Sequence, residues 1–291
     1  MAIADSTERS QLSQITDHKP QVTGFMKNSG RPIGIFDSGL GGLTVFKELR
    51  ALLPGEDLIY FGDTARVPYG TKSAEAVLAF SREITSFLLG KKIKFLIVAC
   101  NTASSLALEE IRKLSPVPVL GVIEPGVEAA LKAVSAGGRV LVIGTSATVN
   151  SRAYSRALAE SGPGIAVTEK ACPLFVPLVE EGWCSKPAAA ITAREYLAPF
   201  RGKIDVLILG CTHYPLLRKV IARVMGPRTR IVDSARAAAR GARAGLAVRG
   251  LLNQARRGRS EFIVSDAPDR FAELALKLLK IKTGKVAVKR F

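Results

Sequence analysis

From Ile33 onward the chain alternates short, near-continuous apolar runs with stretches of helical periodicity, and few folds accept that pattern. The apolar, β-rich runs cover 33–36, 57–61, 94–99, 117–122, 139–143, 165–168, 205–209, 230–232 and 261–264. Amphipathic segments lie between them at 43–53, 74–89, 103–114, 127–134, 151–160, 216–224 and 270–279. A strand that is apolar on both faces has no solvent side. It needs helices above and below, and helical crossovers are what join parallel strands. The pattern predicts an α/β protein built on parallel sheets. Residues 1–30 carry no such period and read as a polar, flexible tail.

The alternation also repeats itself. FLIVACNTAS (95–104) and VLILGCTHYP (206–215) each run from an apolar strand through a small residue and a cysteine into a polar helix start, with Cys100 and Cys211 111 residues apart. ARVPYG (65–70) faces LFVPLVEEG (174–182), IFDSG (35–39) faces VIGTS (142–146), and VIEPG (122–126) loosely faces IVDSA (231–235), all in the same order. Such ordered self-similarity indicates duplication. It predicts two pseudo-symmetric parallel-sheet α/β domains, the first formed by 31–125 plus 240–291 and the second by 126–239. Ligands in such folds sit at the carboxyl ends of strands, so the active site is expected in the cleft between the domains.

Composition narrows the partners. Of 291 residues, 47% are hydrophobic, enough for a sizeable core. No apolar run approaches the roughly 18 residues of a membrane span, and the first residues lack the apolar core of a secretory signal. A cytoplasmic location with free thiols is expected for four cysteines without CxxC pairs. Two histidines are too few for a multi-ligand zinc site, so no metal is expected. The net charge of +17 is concentrated in residues 201–291, where 21 basic side chains face 6 acidic ones. This stretch has no aromatic interleaving and no recognition motif, so nucleic acid is an improbable partner. Arg236, Arg240 and Arg243 fall at helical spacing and read as a solvated helix face. Arg256, Arg257 and Arg259 belong to no site motif.

The chemistry-bearing residues cluster at the repeated junctions. Cys100 and Cys211 each stand where a buried strand ends and a helix begins, a place whose amides and dipole favour a thiolate. Two such thiols at equivalent points are hard to explain as core filling, whereas Cys172 and Cys184 have no repeat partner and read as packing residues. Asn101-Thr102 and Thr212-His213 follow directly, able to cap the helices or to hold a small anion. His213 can act as acid–base partner to Cys211, and Asp37 can act on Cys100 or cap its own helix. The loop DSGLGGLT (37–44) is no Walker loop. It is a near miss for a dinucleotide fingerprint: Gly39 and Gly41 fit, Thr44 replaces the third glycine, and Asp63 could mimic a ribose-binding acid. An NAD-dependent oxidoreductase therefore stays open as an alternative, as does a nucleic-acid-binding protein.

Taken together, GIFDSGLGGLTV, YFGDTARVPYG, VACNTAS and LGCTHYPLL resemble the glutamate racemases of the aspartate/glutamate racemase superfamily, from about Ile33 into FIVSDAPDRFAELA. The resemblance implies a cofactor-independent enzyme that interconverts L- and D-glutamate and supplies D-glutamate for peptidoglycan. It implies catalytic roles for Cys100 and Cys211, assisted by Asp37 and His213, with Glu180 as a cleft carboxylate. It implies substrate binding by the pairs Asp37-Ser38, Tyr69-Gly70, Asn101-Thr102 and Thr212-His213. A carboxylate near the place of His213 would favour aspartate, so His213 points to glutamate. A homodimer is the expected assembly.

Overall fold

A computed structural model describes residues 28–255 and 257–291; most of the expected tail and Arg256 lie outside the described residues. Two parallel sheets form the frame. The first has six strands in the order β10-β9-β2-β1-β3-β4: β1 Ile33–Asp37, β2 Leu58–Gly62, β3 Phe95–Val98, β4 Val119–Gly121, β9 Ser260–Val264 and β10 Val286–Val288. The second has four in the order β6-β5-β7-β8: β5 Arg139–Gly144, β6 Ala166–Ala171, β7 Val206–Gly210 and β8 Arg230–Asp233. Every pairing between neighbours is parallel. Within the first sheet, β2-β1-β3-β4 reproduces β6-β5-β7-β8 position for position. The duplication legible in the motifs is thus a duplication of topology.

Side-chain alternation explains why both faces of each sheet are covered. In the first sheet Ile35, Tyr60 and Ile97 point into one buried cluster while Phe36, Phe61, Leu96 and Val98 point into another. In the second, Leu141, Ile143, Leu207 and Leu209 face one side and Val140, Val142, Val206 and Ile208 the other. One cluster runs continuously from Ile35 to Leu207 and joins the two sheets. Each buried Ile or Leu contributes about 1.5–3 kcal/mol to holding this frame together.

The helices depart from the sequence periodicity where local chemistry intervenes. The segment expected as one helix over 103–114 is two, Asn101–Leu106 and Leu108–Leu114, parted by the non-helical backbone of Ala107. The segment expected over 151–160 starts as Ala153–Ser161, because Arg152 takes a left-handed conformation (φ 56°) after the short helix Ser146–Asn150. That short helix begins at Thr145, whose hydroxyl caps the Thr148 amide at 3.3 Å. The helix Ser234–Val248 exposes Arg236, Arg240 and Arg243 and buries Ala235, Ala238, Ala239, Ala242 and Leu246. Among the described residues, no helix is long and apolar enough to cross a membrane.

Strand order fixes where chemistry can occur. In each sheet the chain moves outward in one direction from β1 or β5, then returns to add β3 or β7 on the other flank. The crevice at the carboxyl ends of β1 and β3, and of β5 and β7, is a topological switch point. Asp37 and Cys100 stand at the first; Thr145 and Cys211 stand at the second.

Candidate active site

At the first switch point Asp37 ends β1 and is fully buried. The Gly39 amide donates to its Oδ2 at 3.0 Å, and the Thr212 hydroxyl, from the other half of the chain, donates to its Oδ1 at 3.1 Å. Burial pushes this carboxyl above the usual carboxylate range, restrained by the charge of His213, the Gly42 and Gly39 amides and the Thr212 hydroxyl. The turn after β1 needs glycine for close approach. A Cβ on Gly41 would stand 2.4 Å from Thr212 Oγ1 and 2.5 Å from His213 Nδ1. The first-half loop is therefore pressed directly onto the second-half site.

Cys100 caps the helix Asn101–Leu106, with its Sγ 3.5 Å from the Ala103 amide. The sequence predicts a thiol acidified by that helix start, and here the expectation fails. Burial, followed by the nearby charge of Asp37, pushes the Cys100 thiol up to about 12 against the opposing pull of the Ala103 amide and the Ser38 hydroxyl. A single amide and a short helix do not offset the loss of water.

The second switch point is wired differently. Cys211 directly follows β7, and its Sγ lies 3.8 Å from His213 Nδ1. His213 Nε2 is 2.6 Å from Glu180 Oε1, at the end of the helix Phe175–Glu180. Burial alone would push His213 down, but the bonds to Cys211 and Glu180 and the carboxylate charge outweigh it, and the imidazole is held well above its usual range. Burial likewise pushes Glu180 up, yet its bond to His213, the imidazolium charge, the Leu40 amide and Arg270 leave it below the usual carboxylate range. The two shifts agree in describing an imidazolium–carboxylate pair beside a thiol.

These groups converge on one cavity. The first half contributes Ser38, Pro68, Tyr69, Gly70, Cys100, Asn101 and Thr102; the second contributes Thr145, Val176, Cys211, Thr212 and His213. Asp37 and Glu180 stand just behind, reaching the cavity through Thr212 and His213. The cavity volume is only about 10 Å³, room for roughly one water. It is held shut by direct contact between the halves. Thr102 Oγ1 lies 3.0 Å from Thr145 Oγ1 and 3.2 Å from Thr148 Oγ1, themselves 3.0 Å apart, and a Cβ on Gly70 would stand 2.3 Å from Thr145 Cβ. A larger cavity of about 470 Å³ lies elsewhere, beside β4 and the helices Ile123–Leu131 and Ser234–Val248, and no thiol or histidine lines it.

Sequence reasoning missed Thr145, Thr148 and Val176. The pairing of IFDSG with VIGTS carried the signal for the first, since it sets Thr145 opposite Ser38. It also misjudged Asp63, whose carboxylate pairs with Arg66 at 2.7 Å and accepts the Tyr69 hydroxyl, fixing the wall of the cavity. Asp63 is thus not free to hold a ribose, and the Gly39 amide, taken by Asp37, is not free for a pyrophosphate. Among the described residues no group of three or more His, Cys, Asp or Glu side chains could hold a metal ion.

Residues 34–242 match the Asp/Glu/hydantoin racemase family. A glutamate racemase of Chlorobaculum tepidum is 52% identical over 250 residues, 85% of this chain and 92% of that protein. The glutamate racemase of Thermus thermophilus, solved with β-chloro-D-alanine, superposes with a TM-score of 0.82 at 45% identity over 91% of this chain and 98% of its own. That of Francisella tularensis, solved with D-glutamate, gives 0.84 at 38% identity over 90% and 98%.

Proposed function

We propose, from the premise that this chain belongs to the Asp/Glu/hydantoin racemase family and within it to the glutamate racemases, that it inverts glutamate with two cysteine bases and no cofactor. The observation that carries the reading is the convergence of two thiols, from equivalent strand–helix junctions, on one polar cavity. Inverting an α-carbon requires a base on one face and an acid on the other, exchanging roles in the reverse direction. In this scheme Cys100 takes the α-proton of D-glutamate while the Cys211 thiol delivers a proton to the opposite face; from L-glutamate the roles exchange. Asp37 serves the Cys100 side, and His213, held protonated by Glu180, serves the Cys211 side. Carbanion charge passes into the substrate carboxylate, for which the donors around Ser38, Thr102 and Thr212 are suited. Tyr69 and Gly70 complete the substrate wall.

A cavity with room for one water does not admit glutamate, so the halves must part before binding and close over it, which excludes water during proton transfer. The two sheets with their helices would be the moving bodies; the expected boundaries at 125/126 and 239/240 fall inside the helices Ile123–Leu131 and Ser234–Val248, which would carry the hinge, and a homodimer is the assembly proposed. The cell-level role is supply of D-glutamate for peptidoglycan from the cytoplasm.

The decisive experiment follows L-glutamate by circular dichroism in metal-free, cofactor-free buffer, then repeats the reaction in heavy water. Optical activity should decay, aspartate should turn over far more slowly, and product should carry solvent deuterium while recovered substrate at early times does not. Substantial early label in recovered substrate would overturn the two-base scheme; a requirement for pyridoxal phosphate, NAD or zinc would overturn the cofactor-free one. Growth of a D-glutamate-requiring bacterium on expression of this chain tests the cellular role.

A further inference from the structure

Tyr154 belongs to no motif of the cavity, yet it reaches into its frame. It is fully buried on the helix Ala153–Ser161, packed in the second-half core. Its hydroxyl accepts a hydrogen bond from Asn101 Nδ2 of the first half at 2.7 Å. Space around it is tight: a Cβ on Gly126 would lie 3.3 Å from Tyr154 Oη and 3.4 Å from Ser234 Cβ, and one on Gly210 would lie 3.1 Å from the ring. Burial raises the phenol well above its usual range, so it stays protonated at any working pH.

Asn101 lines the cavity, and its other amide atom, Oδ1, is buried without a hydrogen-bond partner. A buried acceptor with nothing to accept costs about 1–3 kcal/mol, and among the described residues Asn101 is the one with such an orphaned atom that also lines the cavity, where a substrate can supply the missing donor. An amide is planar, and with Ser234 as the other partner of the Tyr154 hydroxyl, the phenol oxygen accepts from Nδ2 and Oδ1 points the opposite way. Free to rotate, the same group could present its NH₂ instead, which repels a cation.

We propose that Tyr154 is a positioning residue that holds the Asn101 amide with Oδ1 presented as the acceptor for the ammonium group of the amino-acid substrate. The inference rests on the racemase reading above, and its test separates the two. Tyr154→Phe removes one oxygen and keeps the ring. Its thermal melt should fall by only several degrees, the cost of an unpartnered Asn101 NH₂ in a protein that stays folded, its KM for both enantiomers of glutamate should rise roughly tenfold, and its kcat should change by less than about threefold. Glutarate, which keeps both carboxylates and lacks the ammonium, should inhibit parent and variant alike. In an Asn101→Ala background, Tyr154→Phe should add nothing further to KM.

An unchanged KM, an equal weakening of glutarate, or the same added KM effect without Asn101 would each overturn the assignment. So would an Asn101→Ala protein with parental KM. Failure of the racemase reading shows itself separately, as no racemisation by the parent chain.

Discussion

The two thiols occupy equivalent points of a repeated topology, but their neighbours differ in kind. Cys100 is enclosed by a buried carboxylate and a helix start, and its proton is held tightly. Cys211 faces an imidazolium that is itself anchored by a carboxylate. Duplication supplied the matched positions of two sulfur atoms; the electrostatics around them diverged afterwards. In the proposed scheme a turnover from L-glutamate begins with Cys100 protonated, the state its surroundings favour, whereas a turnover from D-glutamate must begin with that proton removed.

The strongest way to break the comparison is to delete either thiol. Cys100→Ala and Cys211→Ala should each abolish racemisation in both directions, a loss of at least about 10³-fold in kcat, since each sulfur is the base one way and the acid the other. Robust turnover by either variant, followed by chiral chromatography, would remove that cysteine from the reaction.

The next effect sharpens it. Asp37→Asn and His213→Asn should each lower kcat/KM by roughly 10²-fold. Because the two enantiomers have equal free energy in water, the fall must be equal in both directions for each variant; the asymmetry can appear only in how it divides between kcat and KM. Initial rates from D- and L-glutamate across a concentration series read that division. Identical patterns for the two variants would show the surroundings to be functionally equivalent.

Glu180→Gln should act more gently, through pH. Its carboxylate holds His213 above the usual value of 6.5, against burial. Removing it lets His213 lose its proton sooner, so the alkaline limb of kcat/KM should move to lower pH. Stability should follow the same signs. The raised His213 contributes stability in full below 6.5, lost as pH rises through its folded value, and the lowered Glu180 contributes above 4.5, lost as pH falls through its own. The melting difference between parent and variant should therefore be widest between these limits and narrow on either side.

The smallest effect belongs to the basic end of the chain. Arg257→Gln with Arg259→Gln should leave turnover within about twofold, as expected of surface charges remote from the site. A loss comparable with that of a thiol variant, in folded protein, would assign that surface a role in catalysis.

How much of this was legible beforehand depends on the range of the forces involved. Apolar runs announced the strands from β1 to β9: the central ones are buried on both faces and have no alternative composition, while the edge strands β6 and β8, only partly buried, were marked by short β-branched runs. β10, Val286–Val288, escaped because three residues flanked by lysines give no period, and only its pairing with β9 makes it a strand. The helix Pro187–Leu197 escaped because an alanine-rich face contrasts little with its surroundings. Cys100, Cys211 and their followers were found because the chain states them twice. Tyr154 and Thr148 were not, because what marks them is a contact between distant parts of the chain, and no local pattern encodes that. The Cys100 acidity was misread for the same reason: the dipole is local and the burial is not.

The hydroxyl triangle of Thr102, Thr145 and Thr148 has a consequence for affinity if binding proceeds through the proposed parting of the halves. Such a latch would favour the closed form, and a ligand entering the open one would then bind at an apparent strength reduced by the fraction of molecules that are open. Weakening the latch at Thr148, which does not line the cavity, would tighten apparent binding of a ligand that inserts between the halves without touching a single ligand contact. For anyone designing an inhibitor, the measured constant reports the strength of the latch as much as the quality of the fit.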